Sequence, residues 1–233
     1  MAKHIGIVAC SAEGAALCYR TVCVEGADVM GRHAHPEVTM HTFPLNEYMR
    51  CIEAGDWEGV ARLMLSSVGK VAEAGADFAI CPDNTIHQAF DLVVGNSPIP
   101  WLHIAEEVAA EAKRQNHTYL GVLGTRFLME GPVYPAKLAA VGIEHRIPEA
   151  EDRERINGII MDELVYGRFT SEARAYFREV ITRLKEQGCD AAVLGCTEIP
   201  LLVAQEDSPL PVLDSTRLLA RAALKEATRR ASQ

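Results

Sequence analysis

Apolar and polar positions along the chain switch between two periodicities. "HIGIVA" (4–9) is a short β-rich run followed by small polar residues from Ser11 to Gly14, which predict a turn leading into a helix. From Asp56, an N-cap candidate, apolar Val60, Leu63, Met64, Val68 and Val71 recur at helical spacing until Gly75 stops them. "DFAIC" (77–81) then predicts a buried strand. A later helix carries Ala173, Phe177, Val180 and Leu184 on one stripe, ends at Gly188, and is followed by "AAVLGC" (191–196), again a buried strand. Alternation of this kind predicts short parallel sheets covered by helices.

The same grammar occurs twice, down to individual residues. "GADFAICPDNT" (75–85) lies over "GCDAAVLGCTE" (188–198) at an offset of 113, so that Asp83 falls on Cys196. "SPIPWLH" (97–103) matches "SPLPVLD" (208–214) at an offset of 111, and "IGIVACS" (5–11) pairs with "LGVLGTR" (120–126) at an offset of 115. Three blocks in one order at nearly one spacing make an internal repeat. The expected fold is α/β, with two similar lobes related by a pseudo-twofold and the active site between them. Each lobe is a short, mostly parallel sheet flanked by helices; residues 1–103 with 215–233 form the first and 104–214 the second. In such sheets ligands bind beyond the carboxyl ends of strands, and Ser11, Asp83, Thr125 and Cys196 all follow predicted strands. Ordinary β-to-α turns favour the same residue types for capping, so each tip alone is ambiguous.

Charge narrows the partners. With 32 acidic against 23 basic residues the formal charge is -9, and no Lys/Arg-rich run points to a nucleic acid or an anionic membrane. No apolar run approaches the roughly 20 residues of a membrane span, and the opening segment, interrupted by Gly6 and closed by Ser11 and Glu13, reads as a strand and not a signal peptide. A small-molecule substrate is expected. Cysteines at 10, 18, 23, 51, 81, 189 and 196 form no C-x-x-C pair and no disulfide-like spacing, which suits a reducing, cytoplasmic setting. Most should be small buried hydrophobes.

A carboxyl at 83 and a thiol at 196, brought from opposite lobes, suit a two-base proton transfer. One removes the α-proton of a substrate and the other protonates the far face, inverting the centre without a cofactor. The carbanion-like intermediate needs donors around the substrate carboxylate, and Asn84, Thr85 and Thr197 beside the two bases are of the right type. Unperturbed carboxyl and thiol groups titrate near about 3.9 and about 8.5, so the resting pair would be carboxylate and thiol.

These residues resemble the cofactor-independent aspartate/glutamate racemase superfamily. That family carries Cys-Asn-Thr in its first lobe and Gly-Cys-Thr-Glu in its second, the two cysteines being the acid/base pair. Here the second motif is intact as Gly195, Cys196, Thr197 and Glu198, whereas the first reads Asp83, Asn84, Thr85. The segments 124–134 and 148–177 resemble the bacterial broad-specificity amino-acid racemases within that family. Its Gly-Gly-Met-Ser stretch after the first strand is here Ala9, Cys10, Ser11. The resemblance implies a homodimer; by their places at the strand tips and beside the two bases, Ser11, Asn84, Thr85, Thr125, Arg126 and Thr197 are expected around an amino-acid or dicarboxylate substrate.

Other candidates rank lower. Cys81 is the tempting substitute for the missing thiol, but it pairs with Leu194 in the repeat and reads as strand core. His87 could orient Asp83, and Glu198 could tune the thiol beside it. His33, His35 and His41 lack supporting ligands and sit among loop residues, so no metal site is expected. Arg50, Arg126 and Arg168 could each meet a substrate side-chain carboxylate, Arg126 first because it follows a strand tip. Two further functions remain open: a dicarboxylate decarboxylase or isomerase relying on Cys196, and a non-catalytic binding protein.

Overall fold

The structure, a computed structural model, describes residues 2–229. The chain divides into two compact units, one made of the residues up to Ile104 and those from Thr216 onward, the other of Ala105–Ser215. In the first unit β1 (Ile5–Ala9), α1 (Ala12–Met30), β2 (Val38–Thr42), α2 (Leu45–Ala54), α3 (Trp57–Glu73), β3 (Phe78–Ile80) and α4 (Phe90–Val94) follow in order. Among the described residues its sheet has the order β2-β1-β3, all parallel, with Ile5 opposite both Val38 and Phe78. The second unit contains α5 (Ile104–Arg114) from its second residue, then β4 (Tyr119–Leu123), α6 (Arg126–Met129), α7 (Val133–Ala139), β5 (Glu144–Arg146), α8 (Ala150–Asp162), α9 (Ser171–Glu186), β6 (Ala191–Leu194), α10 (Ile199–Leu202) and β7 (Val212–Asp214). Its sheet, β5-β4-β6-β7, is also parallel throughout. The last helix, α11 (Ser215–Thr228), returns to the first unit and places Leu219, Ala220, Ala223, Leu224 and Ala227 at helical spacing in the core of Ile5, Ile7, Phe78 and Ile80.

Local chemistry explains the elements. Asp56 caps α3 by accepting the Gly59 amide at 2.7 Å, and Thr170 caps α9 by accepting the Ala173 amide at 3.1 Å. The α9 stripe Ala173, Phe177, Val180 and Leu184 is buried against Leu123, Ala192 and Leu194 of its own unit.

The repeat extends to hydrogen bonds. Gly75 and Gly188 both have φ +97°, the left-handed conformation that lets the chain turn from helix into strand. Two residues on, Asp77 accepts the His4 amide at 2.6 Å and Asp190 accepts the Thr118 amide at 2.7 Å, each carboxylate clasping the start of the neighbouring strand. Ser97 and Ser208 each donate to the carbonyl two residues ahead at 2.7 Å. The amides of Ala79 and Ala192 each donate to a proline carbonyl, Pro100 and Pro211, at 2.8 Å. Where the second unit has β7, the first has a single parallel bridge between Ala79 and Trp101.

Three expectations are corrected. Ser11 to Gly14 is not a free turn: α1 begins at Ala12, with Ser11 as the extended N-cap residue, because the Ala-rich run after it has high helix propensity and nothing there requires positive φ. The histidine-containing stretch is not all loop. Val38–Thr42 forms β2, a half-exposed edge strand in which His41 Nδ1 meets Ser67 Oγ at 2.9 Å and Nε2 meets Lys70 Nζ at 3.0 Å. His33 occupies a left-handed turn at φ 64° and His35 bonds the Pro36 carbonyl. Cys81 lies just beyond β3, which ends at Ile80. No helix among the described residues is long and apolar enough to cross a membrane.

Candidate active site

The tip after β3 is built on Asp83. Its Oδ1 accepts the Ile86 amide at 3.1 Å, capping a 3-10 turn over Thr85–Ala89, and its carbonyl meets His87 Nδ1 at 2.6 Å. His87 Nε2 faces the Ile104 amide at 3.4 Å, which assigns the neutral tautomer with its proton on Nδ1. His87 therefore steadies the backbone of Asp83. Asn84 and Thr85 are buried beside it, and Ser11 is buried at the head of α1. Burial pushes the Cys81 thiol well above the ordinary range, and the Asp83 charge reinforces this, with only a weak opposing bond to the Asp83 carbonyl at 4.0 Å. Cys81 keeps its proton, as a packing residue does.

Tyr48 on α2 went unnoticed in the sequence. It and Ile52, one turn apart, are the buried residues of that helix, and the Tyr48 hydroxyl is buried without a hydrogen-bond partner. Burial, and then the neighbouring Cys81, Cys10 and Asp83, push its pKa far above the phenol range.

In the second unit Thr125, after β4, accepts the Leu128 amide at 3.2 Å and so caps α6. Arg126 is anchored by its own amide to Asn157 Oδ1 of α8 at 3.0 Å and pairs with Glu154 at 3.3 Å, its side chain 43% exposed. Arg50 and Arg168 are exposed and bond backbone carbonyls, of Asn46 and Asp162 respectively. None of the three arginines lies buried.

After β6, the Gly195 amide donates to the Leu123 carbonyl at 2.7 Å and turns the chain out of the sheet. A Cβ at Gly195 would stand 2.7 Å from that carbonyl oxygen, so only glycine fits this passage. Cys196 follows, 9% exposed, and its Sγ donates to Glu198 Oε2 at 2.9 Å. Thr197 Oγ1 donates to the same oxygen at 3.2 Å. Glu198 is itself only 2% exposed, and its Oε1 is buried with no hydrogen-bond partner. A thiol thus holds its proton against a buried carboxylate that has one oxygen filled and one unfilled.

Residues 7–223 match the family Asp/Glu/Hydantoin racemase. The chain is 32% identical to a candidate Asp/Glu racemase from Yersinia pestis, covering 97% of this chain and 100% of that one with a TM-score of 0.88. It is 26% identical to an aspartate racemase homologue from Pyrococcus horikoshii OT3, covering 97% of this chain and 100% of that one with a TM-score of 0.83. It is also 23% identical over 166 residues to the broad specificity amino-acid racemase RacX of Bacillus subtilis strain 168, 71% of each chain being covered.

Proposed function

The chain belongs to the Asp/Glu/hydantoin racemase family, and from that premise we propose that it is a cofactor-independent amino-acid racemase in which Asp83 and Cys196 exchange the α-proton. In one direction the Asp83 carboxylate takes the proton from the α-carbon and the Cys196 thiol delivers one to the opposite face, leaving carboxylic acid and thiolate. In the other direction the thiolate is the base and the protonated Asp83 the acid. Charge on the substrate carboxylate is held by Asn84, Thr85 and the backbone amide of Thr197, with Ser11, Thr125 and Arg126 completing substrate contacts.

The observation that carries this reading is the Cys196–Glu198 hydrogen bond of 2.9 Å. Moving the thiol proton 196-to-198 converts a thiol and a carboxylate into a thiolate and a carboxylic acid with no change in net charge, and Asp83, the acid in that direction, takes its own proton from solvent. The base is thereby generated inside a buried site, where an isolated thiolate would be costly. The unfilled Oε1 of Glu198 is an acceptor suited to the ammonium of an amino acid, which favours amino acids over dicarboxylates. A homodimer in the cytoplasm accompanies the proposal.

The test is to incubate single enantiomers of the chiral proteinogenic amino acids in deuterium oxide and follow the α-proton by NMR and the product by chiral chromatography. Deuterium entry with appearance of the mirror form, both lost in Cys196→Ser, is the expected result. Carbon dioxide release from a malonate, or cis/trans conversion of a dicarboxylate without α-exchange, would replace it with the one-sided reading. Binding without turnover would make the chain a binding protein.

A further inference from the structure

Resting on the racemase reading, we infer that Tyr48 is a substrate-binding residue, its hydroxyl donating a hydrogen bond to a carboxylate oxygen of the amino acid held at the Asp83 tip. The position is set by α2: of its buried residues, Tyr48 and Ile52 lie one turn apart and so share the inward face. Cys10, Cys81 and Asp83, which follow β1 and β3, all push the phenol's pKa up, which puts the hydroxyl within electrostatic reach of residues beyond the carboxyl ends of the first sheet. A buried phenol ordinarily finds an acceptor. This one is fully buried and has none.

An unmet donor beside a candidate base has a chemical use. As the α-proton leaves toward Asp83, negative charge moves onto the substrate carboxylate, and a neutral O–H aimed there stabilises it without adding a second ion to a buried site. Asp83 itself must gain and lose a proton in each cycle, so a permanent cation close to it would hold it ionised; a neutral phenol does not. A helix-borne tyrosine is also more rigidly placed than a long arginine reaching in from solvent.

The experiment compares the full-length protein with Tyr48→Phe, which keeps the ring and deletes only the hydroxyl. For the amino acid that the unaltered protein exchanges fastest, the variant is expected to raise KM and lower kcat/KM by about ten-fold or more, the worth of a hydrogen bond to a charged group. Its thermal midpoint, measured without ligand, is expected to stay level or rise, because an unsatisfied buried donor has been removed. A lower midpoint would show that the hydroxyl has a structural acceptor, and an unchanged KM with a raised midpoint would show an orphaned group with no ligand; either overturns the inference. Absence of α-exchange in the unaltered protein would overturn the racemase reading and this inference with it, whereas exchange that Tyr48→Phe leaves untouched overturns the inference alone.

Discussion

Replacing Glu198 by Gln isolates the proton-acceptor role from the packing role. Glutamine has nearly the same volume, and its carbonyl oxygen can still accept from Cys196 and Thr197, which both reach Oε2 of Glu198. It cannot take a proton. The hydrogen bond to a charged group, worth about 1.5–3 kcal/mol, becomes a neutral one of about 0.5–1.5 kcal/mol, a difference of about 1–1.5 kcal/mol that at about 1.4 kcal/mol per decade corresponds to roughly 5- to 12-fold in rate. Because the two enantiomers have equal free energy, kcat/KM must fall by the same factor in both directions. The diagnostic is the pH profile: each direction needs one proton on the Asp83–Cys196 pair, so activity falls once the thiol loses its proton, and removing the charge against which that proton rests should move the alkaline limb to lower pH. Stability should not fall, since a buried carboxylate with an unpaired oxygen becomes a neutral amide. The assay is chiral chromatography of racemisation from pH 6 to 10, with a urea melt alongside. A loss uniform across pH, or no loss at all, would refute the idea that Glu198 stores the Cys196 proton.

Asp83→Asn preserves an oxygen to accept the Ile86 amide now held at 3.1 Å, so the fold should be stable to within about 0.5 kcal/mol while α-exchange drops by roughly 10²–10⁴; Asp83→Ala should lose the cap as well, at about 1 kcal/mol in a urea melt. An Asp83→Asn protein that still racemises would remove Asp83 from the chemistry. His41 has its pKa lowered by desolvation and by Lys70, so its neutral form stabilises the fold above the unfolded histidine value, near about 6.5, and that contribution fades as pH falls through the lowered folded value. Lys70→Met should therefore flatten the acid side of the stability profile, and an unchanged profile would contradict the assignment. At Gly121 a Cβ would meet Leu184 Cδ1 at 2.8 Å, and at Gly6 one would meet Val71 Cγ2 at 2.7 Å. Either Gly→Ala change should cost about 1–3 kcal/mol by denaturant titration, since α9 or α3 must lift from its sheet.

Much of the architecture was legible because the chain states it twice. Helices with a single apolar stripe, such as the one through Ala173, Phe177, Val180 and Leu184, and strands with every residue buried, such as Ala191–Leu194, carry unambiguous periodicity. The strand Val38–Thr42 was missed because it lies at a sheet edge, where half-exposure dilutes alternation, and because His35, Pro36 and His41 look like loop residues. At the site, the placement of Asp83 and Cys196 beyond strand ends followed from the repeat. The bond from Cys196 to Glu198 was visible only as adjacency, since neighbouring letters do not say which way side chains point. Tyr48 had no signal at all: its significance lies in a missing partner, which only three-dimensional packing reveals.

The clasp at Asp77 and its counterpart at Asp190, with the left-handed turns at Gly75 and Gly188, start two strands in the same way, and the far ends of those strands lead to a carboxyl in one and a thiol in the other. Each half is in that sense the other's control. A chemist wishing to know what an oxygen acid does in a sulfur acid's seat can exchange the two side chains within a single molecule, and read the answer against a scaffold that nature has already matched.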